Sequence, residues 1–372
     1  MTSDVRISAA LIVRDEERFL AGCLSSIADH VDEIVVVDTG SVDGTIAIAQ
    51  SFGVKLLHRQ WRNDFAWARN EGLEAASGSW ILYIDADERL SVPPGSSLVD
   101  TLDEAEIFPS RVLFRPTVNA TPFREYRLFR NDPRLRFKGS MHETMLPDLD
   151  VLKDTIGARV NESPVELVHL GYEDGSEWKH QRNLPLLRTA IAQNPDRLYY
   201  WYHLAATLAG LGQTDEALSI GAEGLRRARE NPLIATDSAI AALLAFNQAR
   251  LLHERGDDPL PAIAQGYAHY PRNPTLQLLE ARVLVDRGRL DAALPLLEEL
   301  VAIDSATYSD PRLAHDRRVF DLYANDLLGV VLLRLGRRQQ AAASFWRAAA
   351  ASPHDMSYRI KAQALGGGDA KP

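Results

Sequence analysis

Ile7–Val13 is a continuous apolar run, the pattern of a strand buried on both faces. Residues 16–28 bring Phe19, Leu20, Leu24 and Ile27 to one side of a predicted helix, and residues 34–38 make a second buried strand. Gly40-Ser41-Val42-Asp43-Gly44-Thr45 has turn and helix-capping chemistry. A short helix up to Gly53, a strand at 54–57, a helix at 64–76 closed by Gly78 and a strand at 80–84 follow. This alternation predicts a parallel, doubly wound sheet with right-handed crossovers.

From about residue 91 to 172 prolines become frequent and the β-like runs are short: 112–115, 126–129 and 165–170. This stretch reads as mixed or antiparallel strands forming the second half of the same domain. From about Trp178 the chain turns helical and rich in Ala and Leu. Leu211-Gly212-Gln213-Thr214-Asp215-Glu216-Ala217 recurs as Arg287-Gly288-Arg289-Leu290-Asp291-Ala292-Ala293 and as Leu335-Gly336-Arg337-Arg338-Gln339-Gln340-Ala341. Arg255-Gly256-Asp257 is a degenerate copy, and Asn194-Pro195, Asn273-Pro274 and Ser352-Pro353 punctuate helix ends. A turn glycine followed five residues on by an alanine suits stacked, tetratricopeptide-like helix pairs. The expected division is a catalytic domain over 1–185, a helical repeat domain over 186–365 and a disordered tail over 366–372.

Composition narrows the possibilities. The 372 residues carry a formal net charge of −10, which disfavours general nucleic-acid binding. Cys23 is the single cysteine, so no disulfide can form within the chain; it reads as a small buried hydrophobe. No signal-like start and no run near the roughly 20 apolar residues of a membrane span are found, so the expected location is the cytoplasm.

The chemistry centres on Trp80-Ile81-Leu82-Tyr83-Ile84-Asp85-Ala86-Asp87-Glu88, two carboxylates at i and i+2 where a buried strand leaves the sheet. Ligands of open α/β sheets bind at these strand ends, and such carboxylates can hold Mg²⁺ or Mn²⁺ on a diphosphate. Asp38-Thr39-Gly40-Ser41 ends the second strand; it is either an ordinary capped turn or a carboxylate facing a base or ribose. No Gly-x-Gly-x-x-Gly follows the first strand and no Gly-x-x-x-x-Gly-Lys-Ser/Thr occurs, disfavouring dinucleotide dehydrogenases and P-loop enzymes.

Leu11-Ile12-Val13-Arg14-Asp15-Glu16-Glu17, the Asp38–Thr45 turn, Phe65-Ala66-Trp67-Ala68-Arg69-Asn70 and Asp85-Ala86-Asp87-Glu88 occur in that order. Together they resemble family-two glycosyltransferases of the GT-A fold. The resemblance is greatest to the branch with C-terminal tetratricopeptide repeats that includes glycocin peptide S-glycosyltransferases. It implies an α/β GT-A domain followed by an all-α repeat domain, and transfer with inversion from a nucleotide-diphosphate sugar, a UDP-sugar being the expected donor. It further implies Asp38 at the nucleoside and Val13 lining the base pocket. Asp85, Ala86 and Asp87 would lie at the metal-diphosphate, Asp87 the more direct ligand, and Arg69 would face the donor. The alternative for Arg69 is a surface ion pair with Asp64 or Glu71, and Asn70 reads as packing support. Asp15 departs from the usual Asn, which bears on fine donor contacts.

Tyr126-Arg127-Leu128-Phe129-Arg130-Asn131 and Phe137-Lys138-Gly139-Ser140-Met141-His142-Glu143 extend the resemblance. Glu143 is the favoured general base and His142 the second candidate; the alternative is a structural pair. His169, in His169-Leu170-Gly171-Tyr172, is a candidate third metal ligand or a satisfied core histidine. Lys179 or Arg182 could close over the diphosphate, or form a solvated helix face. Tyr199, Tyr200, Trp201 and Tyr202 suit inter-helix packing, with a sugar- or peptide-stacking platform as the sharper alternative. The partners expected are the nucleotide sugar and an acceptor hydroxyl or thiol, with a peptide or protein held by the repeats as one acceptor reading and a homodimer also open. Transfer to a glycan, lipid-linked saccharide or secondary metabolite is the alternative within the class; a non-catalytic repeat scaffold lies outside it. A nucleotidylyltransferase would show a Gly-rich, Arg-containing loop after the first strand, absent from Val13 to Glu17.

Overall fold

The computed structural model describes residues 6–99, 102, 107–117, 119–170, 177–231 and 238–366, and not the side chains of Ile107, Trp178 and Lys179. Gly171-Tyr172 and the tail beyond Gly366 lie outside the described residues. The chain divides into two compact units, Met1–Val118 with Pro122–Glu173, and Asn119–Thr121 with Asp174–Pro372.

The first unit is an α/β sheet domain. Its strands are β1 (Ile7–Val13), β2 (Glu33–Asp38), β3 (Lys55–His58), β4 (Trp80–Tyr83), β5 (Glu88–Ser91), β6 (Ile107–Arg115), β7 (Phe123–Arg130) and β8 (Arg159–His169). They form one sheet in the order β3-β2-β1-β4-β7-β6-β8-β5. The first four are mutually parallel, as their apolar runs predict. β7 then joins β4 antiparallel and begins a mixed half, so the sheet is doubly wound only over its first half.

The helices are α1 (Leu20–Ile27), α2 (Thr45–Ser51), α3 (Phe65–Ala75) and α4 (Leu146–Ile156). α1 starts later than its periodicity predicts. The Glu16 and Glu17 amides are taken by Thr45 and Asp43 side chains, so those residues form a turn instead. Leu20, Leu24 and Ile27 are buried as expected, while Phe19 stands at the cap. Asp64 caps α3 by accepting the Trp67 amide at 2.9 Å. The core beneath the parallel strands gathers Ile7, Leu11, Leu24, Ile27, Trp80 and Leu82.

The second unit is helical: α5 (Glu177–Gln193), α6 (Leu198–Gly210), α7 (Thr214–Glu230), α8 (Ser238–Arg255), α9 (Leu260–His269), α10 (Pro274–Asp286), α11 (Leu290–Val301), α12 (Ala324–Arg334), α13 (Arg338–Ala351) and α14 (Met356–Ala364). The repeat glycines Gly212, Gly256, Gly288 and Gly336 all have φ between +72° and +86°. Each follows a helix, and the amide after it bonds back to a carbonyl five residues earlier, as in Arg289 to Leu284 at 2.8 Å. That left-handed closure needs glycine. Ala217, Ala293 and Ala341, five residues on, are buried at the helix crossings. Tyr200 and Trp201 are buried, as inter-helix packing predicts, while Tyr199 and Tyr202 flank His203. Three residues from the β6–β7 connection belong here: the Thr121 amide bonds the His315 carbonyl at 2.7 Å and the His315 amide bonds the Thr121 hydroxyl at 2.8 Å.

Candidate active site

The ends of β1, β2 and β4 lie side by side, Val13 opposite Asp38 and Ala10 opposite Tyr83. The loops they feed are laced together. The Asp15 amide donates to Ser41 Oγ at 3.0 Å, Asp15 Oδ1 accepts the Val42 amide at 2.8 Å, and Glu17 Oε2 accepts the Gly44 amide at 2.8 Å. Asp15 has φ +55°. Asp and Asn both tolerate that region, so the departure from Asn leaves the loop backbone unstrained. Asp38 is buried and accepts the Gly40 and Ser41 amides at 3.2 and 3.1 Å; His58 Nδ1 lies 3.7 Å away. These bonds shape the turn and orient the Asp38 carboxylate at the strand end. Val13 packs its side chain into the core and gives its carbonyl to Thr39.

Beyond β4 the two aspartates part. Asp85 Oδ1 accepts Arg69 Nη2 at 2.7 Å. Asp87 Oδ2 lies 3.0 Å from His169 Nε2, and His169 Nδ1 lies 2.8 Å from the Pro116 carbonyl. Ala86 between them is buried. Antiparallel pairing of β5 with β8 sets Glu88 opposite His169, and the Leu170 amide donates to the Asp87 carbonyl at 2.7 Å. The hydrogen bond to Asp87 raises the His169 imidazole to about 9, against the opposite pull of burial. Burial works to raise the Asp85 carboxyl, but Arg69 and Arg127 outweigh it and hold it below its ordinary value. Among the described residues no three His, Cys, Asp or Glu side chains converge as a metal cluster. Asp87 and His169 meet; Asp85 is drawn aside by Arg69.

Arg69 is 10% exposed and donates from Nε to Glu143 Oε1 at 2.5 Å as well as to Asp85. Burial would lower its proton affinity; Asp85 and Glu143 reverse that and keep it charged. It does not pair with Asp64, which caps α3, nor with Glu71, which binds Arg59. Asn70 holds the Phe137 backbone from both sides, at 3.0 and 2.9 Å, which is the supporting role expected of it. Phe137 leads into the turn bearing His142, at φ +51°, and Glu143, whose neighbour Thr144 pairs with Lys138. Arg182 lies exposed on α5 and hydrogen-bonds Asn183 at 3.0 Å.

Sequence reasoning missed Glu88, Arg127 and Tyr83. Arg127 is buried and forks onto Glu88 at 2.9 and 3.2 Å, with Glu125 on its Nε at 2.7 Å. Tyr83 lies between Arg127 and Arg69, 4.4 and 5.3 Å from its ring. Burial pushes the Glu88 carboxyl up to about 7, against the pull of Arg127. Glu88 and Arg127 are 39 residues apart, so no periodicity links them; their traces are their places in the Asp85–Glu88 and Tyr126–Asn131 motifs and, for Arg127, a charge inside an otherwise apolar strand core.

Residues 8–144 match Glycosyl transferase family 2, and residues 198–220 and 274–299 match the tetratricopeptide repeat. A TPR repeat-containing protein of Synechococcus elongatus is 31% identical over 97% of each chain. The SPbeta prophage-derived glycosyltransferase SunS of Bacillus subtilis is 27% identical over 57% of this chain and 51% of its own. The lipopolysaccharide core biosynthesis glycosyltransferase LpsC of Rhizobium meliloti is 31% identical over 44% of this chain and 66% of its own. The chain carries a glycosyltransferase family 2 domain joined to a tetratricopeptide repeat region.

Proposed function

We propose that this glycosyltransferase moves a sugar, with inversion, from a UDP-sugar to a hydroxyl or thiol of a peptide or protein acceptor. The observation that carries this reading is the gathering of Asp38, Asp87 with His169, and Glu143 with Arg69 at the carboxyl ends of the parallel strands. Asp38 and the Asp15–Ser41 lacing serve the nucleoside, with Val13 as the floor beneath it. Asp87 and His169 suit a divalent cation. Pro116 fixes Nδ1 of the ring as the donor, which leaves Nε2 to bind a metal once deprotonated. A carboxylate with an imidazole suits Mn²⁺ better than Mg²⁺. When bound, such a cation offsets charge on the leaving diphosphate.

Arg69 remains charged in a nearly buried position and adds fixed positive potential where negative charge develops. It also holds Glu143 by Oε1, leaving Oε2 to take the acceptor proton. His142, strained in the adjacent turn, is the alternative base. Peptide or protein recognition is assigned to the helical repeats, whose stacked pairs form surfaces suited to extended chains. The likeness to LpsC supports a second reading, a saccharide acceptor. The test is a panel of nucleotide sugars with Mn²⁺, scored for donor hydrolysis and then for transfer to peptide and saccharide acceptors. Hydrolysis of no UDP-sugar would refute the donor assignment, and transfer to saccharides alone would refute the peptide acceptor.

A further inference from the structure

Arg127 lies in the middle of β7, its guanidinium buried between the rings of Tyr83 and Phe114 at 4.4 and 4.7 Å. Two of its nitrogens grip Glu88, whose side chain is 1% exposed. Glu88 Oε2 accepts the Asp85 backbone amide at 2.9 Å, and the Glu88 amide donates to the Asp85 carbonyl at 3.0 Å. One residue thus closes the Asp85-Ala86-Asp87 turn from both sides, by side chain and by main chain.

The turn is tied to two sets of side chains. Through β5 and β8, Glu88 stands opposite His169, and Asp87 meets that imidazole. Through its own carboxylate, Asp85 meets Arg69 and so Glu143. A buried pair of this kind is a poor device for stability, because desolvating two charges offsets most of their attraction. Its geometric effect is specific, since a planar fork fixes both carboxylate oxygens, and with them the amide that one oxygen receives.

We propose that Arg127 is a positioning residue that acts through Glu88: it sets the Asp85–Asp87 turn and thereby the donor-diphosphate site. Its link to donor binding rests on the assignment of Asp87 and His169 to that site. Arg127 touches neither of them; its effect is transmitted through the Glu88 carboxylate and the Asp85 amide. Lysine at this position keeps the charge and loses the fork, so charge alone cannot replace it.

The experiment compares wild type with Arg127→Lys and Glu88→Gln, each full length. Three readouts are taken: melting temperature, hydrogen exchange in the segment 84–88, and UDP affinity with Mn²⁺ by calorimetry. Arg127→Lys should melt cooperatively, exchange the Asp85 amide at least tenfold faster, and bind UDP with Mn²⁺ about 10–100-fold more weakly. Glu88→Gln keeps an oxygen for the Asp85 amide but not the charge, so it should fall between the two and rescue the comparison if Arg127→Lys fails to fold. Unchanged exchange and affinity in a folded Arg127→Lys, or in Glu88→Gln alone, would overturn the proposal. If wild type itself binds no UDP with Mn²⁺, the donor-site assignment fails, while the exchange arm still decides whether Arg127 sets the turn.

Discussion

Replacing Arg69 by methionine gives a test worked from the site's own geometry. The side chain is 10% exposed and serves two carboxylates, Glu143 at 12% exposure and Asp85 at 34%. Removing one partner of a buried pair costs about 3–5 kcal/mol, because the remaining charge is left desolvated. That figure applies to Glu143. Asp85 is screened by water and adds about 0.5–1 kcal/mol. Methionine keeps part of the contact with Tyr83 and Phe137, so lost packing is a minor contribution. The expected total is roughly 3.5–6 kcal/mol at pH 7, a fall of roughly 7–24 °C in melting temperature for a unit of this size. The pH dependence has a definite sign. Arg69 helps hold the folded Asp85 carboxyl below its ordinary value, so the stabilisation is full above the ordinary carboxylate range. It is lost as pH falls through the lowered value. In the variant the pull of Arg69 on Asp85 is gone, so protonation relieves the Asp85 share of the defect and the gap from wild type narrows toward pH 4 by up to about 1 kcal/mol. Calorimetry at pH 7 and pH 4 reads both quantities. A loss under about 1 kcal/mol at pH 7, or a gap that does not narrow in acid, would refute the reasoning.

Asp87→Asn should cut metal-dependent turnover by orders of magnitude, and in wild type Mn²⁺ affinity should rise with pH up to about 9, because metal must displace the His169 proton. Full activity in excess EDTA would contradict the first half, and a pH-independent Mn²⁺ titration the second. Glu143→Gln should abolish transfer while UDP still binds; wild-type transfer at neutral pH would move the base to His142. Asp38→Ala should weaken UDP binding more than it slows the saturated chemical step, and calorimetry showing unchanged affinity would count against it. Gly288→Ala should cost about 1 kcal/mol by backbone strain alone, since φ is +72° and an added Cβ meets nothing within 4 Å; an unchanged thermal midpoint would refute it.

The parallel half of the sheet was legible because strands buried on both faces leave apolar runs, and Asp64 announces α3 by its cap. The repeat turns were legible because a left-handed closure demands glycine at Gly212, Gly288 and Gly336. α4 escaped notice although it carries Pro147 in its first turn, Lys153 in its last and Gly157 at φ +63° just beyond. These caps signal a helix, and Leu146, Leu149, Leu152 and Ile156 recur at helical spacing, though only Leu149 and Leu152 of them are buried. β5 also escaped, since its four residues are two adjacent charges, Glu88 and Arg89, followed by Leu90 and Ser91, and they form a strand by pairing with β8. At the site, the motifs indicated which residues matter but not how they pair. Asp85 turns to Arg69 while Asp87 turns to His169, a division made by α3 and β8, far apart in sequence.

The pairing of Thr121 with His315 bears on the order of events during synthesis. These residues are 194 positions apart, yet they lie in the same compact unit. At typical elongation rates roughly 10–40 s separate their emergence from the ribosome. Through that interval Thr121, fully buried in the finished protein, has no partner to cover it. The helical unit therefore closes only after the chain has passed His315, and a ribosome stalled before that point holds an unsealed product. Closing so long a loop adds little to the equilibrium cost, which grows only with the logarithm of length, but it belongs to the slow class of long-range contacts. The same arithmetic applies to dissection: a fragment beginning at Asp174 leaves the His315 amide and carbonyl without the bonds that Thr121 supplies.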